Sequence, residues 1–150
     1  MIVCFDVRSE KYNFVKFTER EMYLATLINF QGKLASLMPY PNPCFISGTS
    51  TSFEMWILRD LEKHGWYPRI FDLPPTWKDV VPGEELLFRG VTVINEFVLS
   101  CNSSSEPFHV YYYNFIKQTI TRVEIQGVEA FEKSSIVGLF PNHVADVKLV

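Results

Sequence analysis

The sequence predicts an all-β fold of antiparallel hairpins arranged in kelch-type or propeller-like blades, and three observations support this prediction. Aromatic residues make up 15% of the 150 residues, and together with Val, Ile and Thr they favour strands over helices. Short apolar runs are separated throughout by Gly, Asn, Asp and Pro, which is typical of strands joined by turns. Asp6, Asp60 and Asn114 each end an apolar run, and successive members of this set are separated by 54 positions.

Composition and charge exclude several classes of protein. Hydrophobic residues make up 47% of the chain, enough to bury a core, so a disordered chain is excluded. The net charge is -3 and the pI is about 5.6. No basic field is present to attract phosphate backbones, so no nucleic acid partner is expected. The longest uncharged run, 34–53, contains three prolines, so no membrane-spanning segment is expected.

The three cysteines indicate the compartment. Cys4, Cys44 and Cys101 are far apart, and none belongs to a C-x-x-C pair. This spacing argues against a disulfide framework and against a zinc site. The first residues also lack the basic segment and long apolar run of a secretory leader. We therefore expect reduced thiols and a cytoplasmic or nuclear protein.

Paired apolar runs predict the hairpins in order along the chain. In three of the hairpins, the first apolar run ends in Asp6, Asp60 or Asn114. The side chains of these residues can bond to the backbone and start a turn. Other hairpins are expected around Gly32 and Gly90. A period near 50 residues with four strands per unit is the pattern of propeller blades. The predicted pairs are 2–6 with 13–17, 24–30 with 33–40, 52–58 with 66–72, 85–90 with 91–100, and 109–114 with 119–126.

This pattern amounts to about three blades. Because a closed propeller needs at least four, the sequence predicts an incomplete propeller, with an open β-sandwich as the alternative.

The segment MWILRDLEKHGW (55–66) has two interpretations. The repeat predicts a strand, a charged turn that begins at Asp60, and a returning strand. Leu58 and Leu61, with Gly65 as a cap, would also fit a short helix. A helix would break the equivalence with the stretches that end in Asp6 and Asn114, so the hairpin is favoured.

Seven motifs, taken in order, resemble the plant F-box associated interaction domain (type 3). The resemblance runs nearly end to end, and the order and spacing of the motifs carry it. It implies a β-rich, propeller-like, non-catalytic interaction domain that selects the target protein of a Skp–cullin–F-box ubiquitin ligase. The motifs are CFDVRSEKYNFVK (4–16), INFQGKLASL (28–37), MWILRDLEKHGW (55–66), LPPTW (73–77), FRGVTVINEFVLS (88–100), VYYYNFIKQTITRVEIQG (110–127) and HVADV (143–147).

The chain departs from the family pattern in one respect. The family carries an N-terminal F-box that docks on the Skp-type adaptor, and no F-box is present in residues 1–150. We therefore expect residues 1–150 to be a partial F-box associated domain, the C-terminal part of an F-box protein. Such a chain would bind the adaptor only through a separate F-box.

No residue pattern predicts catalysis, a cofactor or a metal. His64 lies near Asp60 and Glu62 and could act as a general base, but no nucleophile is placed beside it, so a solvated turn is favoured. The glycines form no phosphate-binding motif, and the histidines lack metal-ligand spacing. The run HVYYYN (109–114) could stack on bases or sugars, although core packing is favoured.

The expected partner-binding residues lie in the longer connections between hairpins, which should share one face of the blades. Tyr40 and Phe45 come from the connection at 39–50, and Trp77 and Lys78 come from the connection at 73–85. The alternative for Trp77 is that it pins its own loop to the sheet.

Two alternative functions remain open. One is self-association through exposed strand edges near Ile2 and Val150, and the other is an enzyme on a propeller scaffold.

Overall fold

The computed structural model describes residues 1–17, 25–60, 62–63, 65–81, 83–102, 107–127, 136–139 and 141. These residues form ten strands and one helix of four residues, so no described helix is long and apolar enough to cross a membrane. The elements are β1 (Ile2–Asp6), β2 (Lys11–Val15), β3 (Thr26–Phe30), β4 (Lys33–Tyr40), β5 (Ser52–Asp60), β6 (Gly65–Asp72), α1 (Trp77–Val80), β7 (Leu87–Val91), β8 (Glu96–Ser100), β9 (Phe108–Asn114) and β10 (Thr119–Ile125).

The described strands form three antiparallel sheets. Strands β1 and β2 form a two-stranded sheet, and the other two sheets have four strands each, in the orders β3-β4-β5-β6 and β10-β9-β8-β7. Within each sheet, every strand lies beside the next strand in sequence, as short connections require in an antiparallel sheet. The predicted all-β fold of antiparallel hairpins is confirmed, and a unit of four strands is present twice.

The chain divides into two compact units. The first unit comprises Met1–Phe45 and Ser50–Leu73, and it contains β1 to β6. The second unit comprises Ile46–Thr49 and Pro74–Val150, and its described elements are α1 and β7 to β10. The short segment that begins at Ile46 belongs to the second unit because Ile46 pairs with Leu86 through two backbone hydrogen bonds of 2.9 and 2.8 Å.

The three acidic or amide residues of the 54-residue repeat start turns, as predicted. Each side chain accepts hydrogen bonds from backbone N–H groups two or three residues further on, which is the Asx-turn geometry. At Asp6, the Ser9 hydroxyl bond and the Arg8 N–H bond also lower the pKa of the carboxyl group. The backbone bonds are Arg8 to Asp6 (2.9 Å), Glu62 and Lys63 to Asp60 (2.9 and 3.1 Å), and Ile116 and Lys117 to Asn114 (3.1 and 3.0 Å).

The segment MWILRDLEKHGW therefore spans the end of β5, the turn at Asp60 and the start of β6. The helical alternative for this segment is wrong, because Met55 to Asp60 pair with β6 in a ladder. The register shifts between Leu58 and Asp60, which marks a bulge just before the turn.

The hairpin expected around Gly90 turns later in the chain. Its turn occupies residues 92–95, where the Asn95 N–H bonds to the Thr92 carbonyl oxygen at 3.0 Å. Gly90 lies inside β7, at a register shift that follows Phe88. Its φ of +153° favours glycine, and a Cβ there would lie 3.0 Å from Pro141 Cγ.

Each four-stranded sheet contributes to a core inside its own unit. In the first unit, the stacked rings of Phe53 and Phe71 lie 4.9 Å apart. In the second unit both faces of the sheet carry buried side chains. One face presents Phe97, Tyr111 and Tyr113, and the other presents Val98, Phe108 and Val110, against which Val137 and Leu139 pack.

Candidate functional site

In each four-stranded sheet, the longer connections lie at one end of the strands. The pairs Leu87↔Ser100 and Phe108↔Ile125 place the segment before β7, the β8–β9 connection and the segment after β10 at the same end. Tyr40 pairs with Ser52 at the corresponding end of the other sheet. Within each sheet, the connections share one end as predicted. The other connections between hairpins, at 18–22, 102–107 and 127–135, lie wholly or largely outside the described residues.

In the first unit, the connection after β4 presents Tyr40 to solvent. The Tyr40 side chain is exposed, and its carbonyl oxygen accepts a hydrogen bond from the Thr51 N–H at 3.4 Å. Asn42 then forms an Asx turn, in which its Oδ1 accepts from the Cys44 N–H at 2.8 Å. Phe45 is half-buried. Tyr40 therefore has the exposure expected of a partner-binding residue, and Phe45 has it in part.

In the second unit, the expected exposure of Trp77 is wrong. Its side chain is 2% exposed, and its indole Nε1 donates a hydrogen bond of 2.7 Å to the carbonyl oxygen of Ser47. The indole also lies edge-on to the ring of Tyr113, with centroids 5.9 Å apart. Trp77 thus joins its own helical turn to the segment at Ser47 and to the sheet, as the alternative interpretation proposed.

The segment around Gly48 fits this packing closely. A Cβ at Gly48 would collide with the carbonyl oxygen of Val81, so the close approach requires glycine.

The pinned helical turn presents Lys78 on its outer side. Lys78 is exposed, as are Thr76 and Asp79, while Trp77 between them is buried. Because the turn is already anchored, binding a partner there would cost this loop little conformational entropy. Partner binding by Tyr40, Phe45 and Lys78 stays a prediction, and Trp77 can act there only by supporting its turn.

A polar cluster in the second unit is the nearest the described residues come to an organised chemical site. Glu84 Oε2 accepts hydrogen bonds from the Tyr111 hydroxyl at 3.1 Å and from Cys101 Sγ at 3.5 Å. Burial, followed by the charge of Glu84, raises the pKa of Tyr111 to about 12. Arg89 donates to Ser100 Oγ at 2.9 Å and to the carbonyl oxygen of Cys101 at 2.8 Å.

The hydrogen bonds of this cluster connect neighbouring strands and the segment before β7. A phenol with a raised pKa stays neutral near pH 7 and serves as a hydrogen-bond donor, whereas an activated nucleophile has a lowered pKa. Among the described residues, no group of three His, Cys, Asp or Glu side chains could hold a metal ion. The candidate base His64 lies outside the described residues.

Exposed aliphatic residues lie at the opposite end of the strands in the second unit's sheet. The β7–β8 turn and the β9–β10 turn are neighbours there, because Glu96 pairs with Asn114. Val93 and Ile94 in the first turn and Ile116 in the second are 87%, 64% and 71% exposed. We call these three residues the apolar tip.

The apolar tip does not follow from the sequence pattern, for an identifiable reason. Turns usually carry polar residues, Gly and Pro, so the apolar stretch VTVINEFVLS predicts one strand after a turn at Gly90. At the base of the tip, Phe97 and Phe115 pack with ring centroids 5.6 Å apart. The exposed aliphatic residues therefore stand on a packed support.

The comparison with known protein families decides the family. The profile of the F-box associated beta propeller domain matches residues 1–144. The chain belongs to this family. Propeller blades are four-stranded antiparallel sheets, so β3–β6 and β7–β10 have the strand number and order of blades.

Individual relatives agree with this assignment. The chain is 47% identical to F-box protein DOR of Arabidopsis thaliana over 100% of its length, and it covers 37% of that protein. It is 44% identical to F-box protein At5g65850 and 38% identical to F-box protein At3g61340, both of the same plant, over 100% and 99% of the chain. It covers 38% and 37% of those two proteins. No solved structure matches the chain.

Proposed function

We propose that this F-box associated domain is a non-catalytic module that recruits a target protein to a Skp–cullin–F-box ubiquitin ligase. The match to the F-box associated family over residues 1–144 carries the proposal. The relatives named as F-box proteins also support it. The chain covers little more than a third of their length, so the proposal assigns the F-box to a part of the protein outside residues 1–150. In this proposal a separate F-box binds the Skp-type adaptor, and the ligase works in the cytoplasm or the nucleus.

The chemistry of the second unit favours binding over catalysis. The hydrogen bonds of the Glu84 cluster come from a neutral phenol and a thiol, which tie the segment before β7 to the sheet. A binding module needs instead an exposed surface whose burial by a partner is favourable, and the apolar tip has that property.

The apolar tip is the surface that we propose for the target. Covering an aliphatic side chain of this size contributes about 1.5 to 3 kcal/mol when it is fully buried, and Val93 and Ile94 are mostly exposed before binding. Both sit in a tight turn, where the Asn95 N–H and the Thr92 carbonyl oxygen fix the backbone. The alternative candidates are Tyr40 and Phe45 in the first unit and, separately, Lys78 in the second unit.

The test is recovery of a target from plant extract by the immobilised chain. The double variant Val93→Ser/Ile94→Ser removes most of the apolar tip without touching the core. Its matched control is Ile70→Ser, since Ile70 is an exposed isoleucine on β6. We expect the double variant to recover at least about 30-fold less of the target, which corresponds to about 2 kcal/mol, and the control to recover it fully.

Two other outcomes are informative. Full recovery by the double variant, together with loss in Tyr40→Ala or Lys78→Ala, would move the binding site to the connections. A chain that recovers no specific protein would argue against target recruitment itself.

A further inference from the structure

The β1–β2 hairpin of the first unit exposes a continuous apolar face. Val3 pairs with Phe14 and Phe5 pairs with Tyr12, so all four side chains project from the same side of the sheet. The rings of Phe5 and Tyr12 lie 4.8 Å apart. Met1 and Val7 extend this row at either end of β1. We call these six residues the hairpin face, and each is between 49% and 78% exposed.

The repeat relates two residues of this face, Val3 and Phe5, to interior positions, while other equivalents such as Arg59 and Arg122 are exposed. Shifting by one 54-residue period aligns Val3 with Ile57, and shifting by two aligns Val3 with Tyr111 and Phe5 with Tyr113. Those three equivalents are 3%, 0% and 1% exposed. The hairpin therefore carries core-type side chains on a face that the first unit leaves uncovered.

The opposite side of the hairpin is already used. Val15 on that side is fully buried, and Ile2 and Cys4 are partly buried. Just beyond β2, the Lys16 carbonyl oxygen accepts a hydrogen bond of 2.9 Å from the indole Nε1 of Trp66. These contacts hold the hairpin inside its unit, so the hairpin face is directed outward.

The area and charge of the hairpin face fit a second copy of the same surface. A fully exposed aromatic side chain presents about 150 to 250 Å², so the six partly exposed residues present on the order of 600 Å². Two such faces would bury about 1,200 Å² in total, the lower end of the range for specific interfaces.

The charges of the hairpin also permit this contact. Arg8, Lys11 and Lys16 nearly balance Asp6 and Glu10, so two hairpins can approach without strong repulsion.

We propose that the hairpin face is the contact between two copies of this chain, stacked face against face in a two-fold dimer. Two sheet faces packed in this way lie about 10 Å apart, with their side chains interdigitated. Because the buried area is at the lower limit and the side chains must be ordered, the dissociation constant should be micromolar, on the order of 1 to 100 μM.

The test is sedimentation velocity on the 150-residue chain from about 1 to about 200 μM, concentrations that bracket the expected dissociation constant. We expect a reversible change from monomer to dimer across this range. Tyr12→Glu and Phe14→Glu should each weaken the dimer by at least about 30-fold, because each buries a carboxylate in the contact. Since both side chains are exposed in the single chain, far-UV circular dichroism should stay unchanged, and the urea midpoint, measured where the chain is monomeric, should change little.

The matched control is Ile116→Glu, which adds the same charge at an exposed isoleucine of the second unit. That variant and Val93→Ser/Ile94→Ser should dimerise as the unchanged chain does, which separates this proposal from target binding at the apolar tip. The proposal is overturned if the unchanged chain stays monomeric at about 200 μM. It is also overturned if both hairpin variants still dimerise, or if the chain forms open-ended polymers.

Discussion

Replacing Trp77 tests whether one buried side chain holds the candidate binding loop in place. The indole is 2% exposed, lies edge-on to Tyr113 and donates a 2.7 Å hydrogen bond to Ser47. Trp77→Ala removes the whole ring from a packed site and should lower the free energy of unfolding by about 3 to 5 kcal/mol. Trp77→Phe keeps most of the apolar contact but loses the hydrogen bond and some volume, so its cost should be about 1 to 3 kcal/mol.

The assay is urea unfolding followed by far-UV circular dichroism, with Lys78→Ala as the matched control on the next residue. Lys78 is exposed, so its truncation should change the free energy of unfolding by no more than about 0.5 kcal/mol. Since the chain has two compact units, each resolved transition is fitted separately. If Trp77→Ala costs less than about 1 kcal/mol, or no more than Lys78→Ala, the account of Trp77 as the anchor of its loop is refuted.

Three further predictions use the same unfolding assay. Asn114→Ala removes the acceptor of two backbone N–H groups and should cost about 1 kcal/mol; no change would mean that the turn does not need it. Gly48→Ala forces a methyl group against a backbone carbonyl and should cost about 1 to 3 kcal/mol, whereas Gly65→Ala meets ordinary contacts and should be nearly neutral. The pKa of Tyr111 is raised to about 12, so its contribution to the free energy of unfolding is complete below about pH 10 and declines between about pH 10 and 12. Tyr111→Phe should lack this decline. Parallel curves of unfolding free energy against pH for the two proteins would contradict the assignment.

The turns show what a sequence pattern can predict. The Asp and Asn side chains that end β1, β5 and β9 act on backbone groups within three residues, so local chemistry is sufficient to place those turns. The strand character of 55–60 follows from the same repeat. Alternating apolar residues between such turns then predict the antiparallel sheets.

Positions that depend on distant partners could not be predicted. The sequence pattern predicts a turn at Gly90, but the glycine lies inside β7 and accommodates Pro141, which lies 51 positions further along the chain. Trp77 in a Pro-rich loop was compatible with exposure or burial, and what decides between them is Ser47, 30 positions earlier. Sequence spacing contains no information about either encounter.

The candidate site was predictable in part. Tyr40 ends β4 and Lys78 lies in α1, both within stretches rich in Pro, Gly and polar residues, and both are exposed as expected. The apolar tip escaped prediction because Val93 and Ile94 continue the apolar character of the adjoining strands. Which surface a target contacts depends on the chemistry of that target, which the sequence of this chain does not encode.

The most direct test of target recruitment uses a fusion of an F-box to the N-terminus of this chain. Assembled with a Skp-type adaptor and a cullin ligase, the fusion is mixed with the protein recovered from Arabidopsis thaliana extract, and ubiquitin transfer to that protein is measured. We expect transfer that Val93→Ser/Ile94→Ser slows by at least about 30-fold and that Ile70→Ser leaves unchanged. An absence of transfer, or transfer at the same rate with the F-box alone, would contradict target recruitment by this domain.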